Sequence, residues 1–497
     1  MIGLVEAMGN VWEKRAYAVF MLCAFTAVSL TAQTFKSLAS FNGTDGGGPQ
    51  GALVQAANGD LYGTTPVGGL NNTVDGSAGT IFKMTPRGAL TTVYNFCSLA
   101  NCADGSNPQE GLVQATNGYL YGTTQQGGMY GSGTVFKITP GGSLTTLHSF
   151  CSPGCTDGAN PFAGLIQASN GDLYGTTAGG GSGTGAEGSG TIFKITPSGK
   201  LTTVHIFCSQ SLCPDGSEPL AGLIQATNEN FYGTTLAGGA HGAGTVFKLT
   251  PGGALTTLHS FCSKTNCADG SNPESALVQA TNGDFYGTTV GGGGKNNLGT
   301  VFEITSAGKL TTLHSFCAQT PCTDGYNPVS GLIQATDGNL YGTVPSGGDP
   351  MTPGGTIYEI TTGGSFGTLY SFTTEGNQPS AALVQDTNGE LYGTTSLGGT
   401  STACQNGCGT VFVLSVGLSP FITTLPVAGI VAEAVKILGS DLTGATSVSF
   451  NGTAAVFTVV SIAEITTTVP TGATTGTVQV VTPSGTLSSN VSFQVLP

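Results

Sequence analysis

The chain has 497 residues, of which only 8% are charged, and its 13 Lys and Arg against 27 Asp and Glu leave a formal charge of -14. That balance argues against a nucleic-acid partner, which needs clustered Lys and Arg. With 81 Gly and 39% apolar residues, the composition suits a turn-dense β protein better than a disordered one.

Residues 1–33 carry Lys14 and Arg15 and then the mostly apolar run from Ala16 to Ala32. This reads as a secretory signal peptide cleaved near Ala32 or Gln33. A permanent membrane anchor fits less well, because the run is short and gives way directly to strand sequence. Leu22 precedes Cys23 where a lipoprotein signal needs a small residue, so export without a lipid anchor is expected.

From residue 34 the chain repeats itself. Tyr62, Tyr121, Tyr174, Tyr232, Tyr286, Tyr341 and Tyr392 stand in Tyr-Gly-Thr motifs spaced 51 to 59 residues apart, a period that announces a repeat architecture. The unit at 111–151 holds four runs rich in β-branched and aromatic residues. Asn117-Gly118 joins the first two as a primed-turn hairpin, and Pro140-Gly141-Gly142 joins the last two. Each unit is then a four-stranded meander, and such units bury both faces when packed around an axis as a β-propeller. The segment from Phe35 to Phe41 aligns with a fourth strand, whereas the last unit stops after a third strand at 409–414. The leading strand can therefore close the ring and remove its open edges. The expected fold is all-β: a seven-bladed propeller over 34–415, followed by a separate domain at 416–497.

Twelve cysteines fall into local pairs: Cys97 with Cys102, Cys151 with Cys155, Cys208 with Cys213, Cys262 with Cys267, Cys317 with Cys322, and Cys404 with Cys408. After an export signal these read as disulfides. Zinc is the rival, since His148, His205, His259 and His314 each stand three residues before a Cys. On a strand that spacing points the His to the opposite face, and no second pair supplies a fourth ligand. Packing is the preferred account of these His, whose place is taken elsewhere by Tyr94, Tyr370 and Ala39.

The Cys pairs, the fourth-to-first loops and the second-to-third loops share one face, and binding usually resides on variable loops of a rigid scaffold. An acidic turn recurs there at Asp45, Asp104, Asp157, Asp215, Asp269 and Asp324, with Glu375 in the remaining unit. Oxygen ligands in such a turn could hold Ca²⁺. One carboxylate per turn is few for that ion, and capping of the turn by the acid itself is favoured. Glu187 and Asp349 break the repeat on this face and are candidate binding residues; Glu229 breaks it on the other. The repeated Gln55, Gln114, Gln167, Gln225, Gln279, Gln334 and Gln385 sit in the innermost strand, where they line the channel or satisfy backbone groups between blades. No nucleophile elbow, phosphate loop or zinc-protease motif is present in the sequence.

The units, with Leu-Tyr-Gly-Thr-Thr, a Gly-Gly loop, Gly-Thr-Val-Phe-Lys and Leu-Thr-Thr-Leu-x-Ser-Phe, resemble the tandem repeat of exported bacterial choice-of-anchor GloVer proteins. The segment 416–497 reads as short alternating strands of an immunoglobulin-like sandwich. Through 448–455 and Val469-Pro470-x-Gly472 it is similar to an IPT/TIG domain. The resemblance implies an exported, surface-associated protein of no established activity; with no sorting signal or hydrophobic tail after the sandwich, a C-terminal anchor is not expected. The leading expectation is a non-catalytic, cofactor-free binding protein for a polysaccharide or protein. A polysaccharide hydrolase or lyase acting at the axis, and a structural envelope component, are the alternatives. Non-repeating carboxylates at the axial opening would favour the enzyme; a symmetric opening would favour binding or structure.

Overall fold

The computed structural model describes residues 33–71, 78–152, 154–181, 188–373 and 375–496. The expected leader, up to Ala32, and Glu187 lie outside the described residues. Among those described, secondary structure is almost wholly β, with short 3-10 turns at Ala100–Cys102 and Thr265–Cys267, and no helix is long and apolar enough to cross a membrane.

The repeats form seven four-stranded antiparallel sheets. In the second unit the strands are Val113–Gln114, Leu120–Thr124, Thr134–Ile138 and Leu144–Ser149, each paired with the next. The first strand is only two residues long, because the residue three before each Gln packs on a neighbouring unit instead of on its own sheet. A Cβ on Gly111 would come 2.1 Å from Ala52 O, and one on Gly164 3.4 Å from Gly111 O.

The Asn-Gly turn differs from the sequence expectation. Of the pair only Gly118 takes positive φ, at 84°. Asn117 Oδ1 accepts the Tyr119 N–H at 3.1 Å, while Ala115 and Tyr119 close a loop one residue longer than a primed turn. The side-chain bond lets Asn keep ordinary φ, so the positive φ falls on Gly alone.

Packing explains the Tyr-Gly-Thr-Thr motif. Tyr121 is fully buried between sheets, and its hydroxyl receives Asn117 Nδ2 at 2.8 Å. Gly122 gives its Cβ space to the third-strand aromatic, since Phe136 Cζ would stand 2.7 Å from a methyl there. Thr123 Oγ1 donates to Ala163 O of the next unit, and Thr124 Oγ1 meets Thr134 Oγ1 at 2.8 Å within its own.

The sheets follow one another around a closed cycle. One core joins Tyr62 and Phe96 of the first sheet to Leu120 and Phe136 of the second. Equivalent cores run between each successive pair, and the last joins Tyr392 and Val411 of the seventh sheet to Leu61 and Phe82 of the first. The leading strand Thr34–Ser40 pairs antiparallel with Thr410–Ser415, as the incomplete last unit requires. Beyond it, two further four-stranded sheets share a core of Ile422, Ile437, Ile465, Val448, Phe450, Val478 and Val480. This segment touches the seventh sheet, where Phe421 donates its N–H to Thr387 O and Ser440 Oγ lies 2.9 Å from Thr387 Oγ1.

Candidate functional site: the loop-bearing face and the axial mouth

All six expected cysteine pairs are disulfides. Five close loops that follow a fourth strand. The sixth, Cys404–Cys408, lies in a second-to-third loop, with Cys404 Sγ 3.5 Å from the Cβ position of Gly47. It thus packs on the loop 41–47, which lacks a Cys pair of its own.

The acidic turns and the fourth-strand His, treated as separate features in the sequence, meet. His148, His205, His259 and His314 place Nε2 at 2.8, 2.9, 3.0 and 3.0 Å from Oδ2 of Asp157, Asp215, Asp269 and Asp324. Tyr94 donates its hydroxyl to Asp104 at 2.8 Å from the same position. The loop after each fourth strand folds back beside it and brings the Asp, nine or ten residues on, against the His; a β-bulge stands just before the His, as between Val135 and Phe136. Three of these Asp also cap the loop behind them: Asp269 accepts from Ser263 N, Ser263 Oγ and Lys264 N, Asp215 from Cys208 N, and Asp324 from Cys317 N. Burial alone would push the Asp269 carboxyl up, but the bonds from Ser263, Lys264 and His259 outweigh it and hold the carboxyl below its usual range. Asp45 accepts from Asn42 N. Among the described residues no three His, Cys, Asp or Glu side chains gather as a metal-binding group.

Asp349 is half-buried and caps its own turn, accepting from Met351 N and Thr352 N. On the opposite face Glu229, at φ 64°, accepts from Ser169 Oγ at 2.6 Å and Gln225 Nε2 at 3.1 Å, linking the third and fourth units. Glu375 and Asn377, in the fourth-to-first loop of the sixth unit, border two open clefts of 490 and 450 Å³, the second lined by Pro353, Asn377, Gln378, Leu397 and Asn406.

The seven Gln satisfy backbone groups between units. Ala57, Thr116, Ser169, Thr227, Thr281 and Thr336 donate their N–H groups to Oε1 of Gln114, Gln167, Gln225, Gln279, Gln334 and Gln385. Thr387 N–H then reaches Gln55. Burial alternates along the segment before most of the Gln: apart from the buried Gly111, the residues one, three and five before it are half-buried or more exposed, and those between are mostly buried.

Three acids missed by the sequence reading emerge from this pattern. Glu110 replaces a small residue four before its Gln; burial pushes its carboxyl up, against backbone bonds from Gly111 and Ala52 that pull it down. Glu274, five before its Gln, is half-buried, and burial pushes its carboxyl up with no opposing bond. Asp386 stands where the other units have Ala and is 1% exposed. Burial raises it to about 6, against hydrogen bonds from Thr387 and Gln55, with Glu390 adding to the rise. The signal for all three was substitution within an aligned column of repeats.

The Gloeobacter/Verrucomicrobia repeat matches the chain over residues 24–185, 71–282, 182–412 and 262–455, and the chain belongs to that family. No curated protein matches it. Among solved structures, a fungal alcohol oxidase of the AA5 family, in complex with copper, is similar at 13% identity and a TM-score of 0.53, with 94% of this chain and all of that one covered. At that identity the likeness is one of fold. A putative 6-phosphogluconolactonase from Bacteroides fragilis is 18% identical over 68% of this chain and 88% of its own, with a TM-score of 0.43.

Proposed function

We propose that this is an exported, non-catalytic binding protein. Its seven sheets act as a seven-bladed β-propeller over 34–415 whose loop-bearing face takes a polysaccharide or protein, and residues 416–497 form an immunoglobulin-like module of IPT/TIG type that serves as a spacer or second contact. The carrying observation is the contrast between the two faces. One carries the same short turn in unit after unit, while the other carries loops that differ in length and sequence, five of the seven fourth-to-first loops being stapled by their own disulfide. Variable loops held on a stiff scaffold suit recognition. The disulfides and the leader-like sequence agree with export to an oxidising compartment.

The enzyme reading draws on Glu110 and Glu274, non-repeating carboxylates near the axis. Glu110, however, is engaged by backbone N–H groups of the first and second units, which leaves one free acid at the mouth where glycoside hydrolysis by the usual route uses two. The test is to expose residues 34–497 to an array of bacterial and plant polysaccharides, with Ca²⁺ and then with chelator, reading both retention and released product. Retention without product supports the binding reading. Product release supports the enzyme, loss of retention with chelator returns the acidic turns to the list of metal ligands, and silence on every glycan leaves a protein partner.

A further inference from the structure

The two clefts beside residues 375–378 stand where the chain departs from its own repeat. Glu375 comes three residues after Phe372, whereas Asp269 and Asp324 come eight after Phe261 and Phe316. The shortened loop has lost a contact. In the other six units the second Gly of the Gly-Gly loop donates its N–H to a carbonyl of the preceding fourth-to-first loop, as Gly128 does to Cys102 O and Gly293 to Cys267 O, both at 2.9 Å. Gly399 holds that place in the seventh unit and lines both clefts, and its N–H has no partner among the described residues. The amides around it are open too. Asn272 and Asn327 donate Nδ2 to Leu236 O and Val290 O at 3.1 and 2.8 Å, but Gln378, at the same place in the turn, makes no side-chain hydrogen bond among the described residues, nor does Asn406. Asn377 stands where the second, fourth and fifth units have Ser, and its Oδ1 is buried without a partner among the described residues. The backbone beneath these groups is fixed: Asn377 and Leu397 exchange N–H bonds at 3.1 and 3.2 Å, and Gln378 O accepts from Ser396 N and Ser396 Oγ, each at 3.1 Å.

We infer that the two clefts, which meet at Gly399, form one groove for a neutral glycan chain. A sugar hydroxyl accepts the Gly399 N–H, and others exchange bonds with the amides of Gln378, Asn406 and Asn377, the last turning about its final side-chain bond to bring Oδ1 forward. A hydroxyl donates and accepts, as an amide does, so the two are matched. Pro353 and Leu397 give apolar surface to a ring face. The second cleft has no charged side chain and the first has one of each sign, Lys36 and Glu375, so on a chain of net charge -14 nothing favours an anionic ligand. Each cleft falls within the range of small-ligand sites, about 300–1,000 Å³, and groups already held in place lose little freedom on binding. The inference rests on the reading of the loop-bearing face as a glycan-binding one and gives that reading a place.

The probes are cellohexaose, maltohexaose and laminarihexaose, titrated calorimetrically into residues 34–497, with hexagalacturonate as the anionic control. Binding of at least one neutral hexaose, and weaker binding of hexagalacturonate, is expected. The double variant Asn377→Ser with Gln378→Asn carries the residues of the second and fifth units at this turn, so it keeps the fold, as circular dichroism will check. It should weaken hexaose binding by about tenfold or more, while Lys194→Gln on the opposite face leaves it unchanged. Silence of all three neutral hexaoses at millimolar concentration, equal binding of hexagalacturonate, or full affinity in the double variant would overturn the inference. In the last case the glycan reading stands with its site elsewhere; if no polysaccharide of the array is retained either, that reading falls together with the groove.

Discussion

Thr387, in the seventh unit, donates its backbone N–H to Gln55 Oε1 of the first at 3.2 Å, and Gln55 Nε2 returns a bond to Thr387 Oγ1 at 3.0 Å. The N–H-to-Gln half of this link is made between every other pair of successive units, so this contact carries the series from the last unit back to the first. Gln55→Ala leaves the Thr387 N–H without its partner and should cost about 1–2 kcal/mol. Chemical denaturation would show it as a lower midpoint with an unchanged slope. A change in slope would mean instead that the ring opens before it unfolds.

Asp386 should make the protein less stable at neutral pH than in mild acid. Its carboxyl titrates near 6 in the fold against about 4 in an unfolded chain. The neutral form is thus the one the fold prefers, and the stability it confers is complete below pH 4 and lost as pH rises through 6. The side chain is 1% exposed, so solvent screens little of the cost. Asp386→Ala, the residue of the other six units, should raise stability by roughly 2–3 kcal/mol at pH 7.5 and by almost nothing at pH 4. Equal gains at both pH values would contradict this.

Asp269 runs the other way. Its folded pKa is depressed, so its contribution is present above the ordinary carboxylate value and disappears as pH falls through the folded one. It accepts from Ser263 N, Ser263 Oγ, Lys264 N and His259, whereas Asp157 bonds His148 and has its Oδ1 buried without a partner among the described residues. Asp269→Asn should accordingly cost about 2–3 kcal/mol and Asp157→Asn about 1 kcal/mol or less. The ranking is read from thermal midpoints at pH 7, with the difference shrinking as acid protonates the Asp269 carboxyl.

Gly122→Ala puts a methyl 2.7 Å from both Phe136 Cζ and Leu112 Cδ2. Overpacking of this kind costs about 1–3 kcal/mol. Combining it with Phe136→Leu should recover part of the loss relative to the sum of the single changes. Strict additivity in that cycle would place the strain elsewhere.

The strands, their order and the closing role of Phe35–Phe41 were legible because apolar alternation and turn residues recur at a fixed period. The six disulfides followed from local pairing. The His and Asp partnership was not legible, since the Asp lies nine or ten residues beyond the His in a loop whose return path strand spacing does not fix. Nor was the turn at Asn117-Gly118, where a side-chain bond from Asn117 replaced the positive φ expected of it. Glu274, Glu110 and Asp386 were visible as departures from their columns, but their burial depends on which residues of the inner segment face the axis, and only packing reveals that.

The pairing of Thr34–Ser40 with Thr410–Ser415 also imposes an order in time. The earliest strand of the array to be synthesised has its partner in the last repeat, so it waits, with its ladder groups open, while the intervening units are made. Local meanders can form as soon as their four strands exist, but the seam closes only after the final repeat, the slow long-range step that such topology predicts. Until then the waiting strand is the segment most open to pairing with another chain.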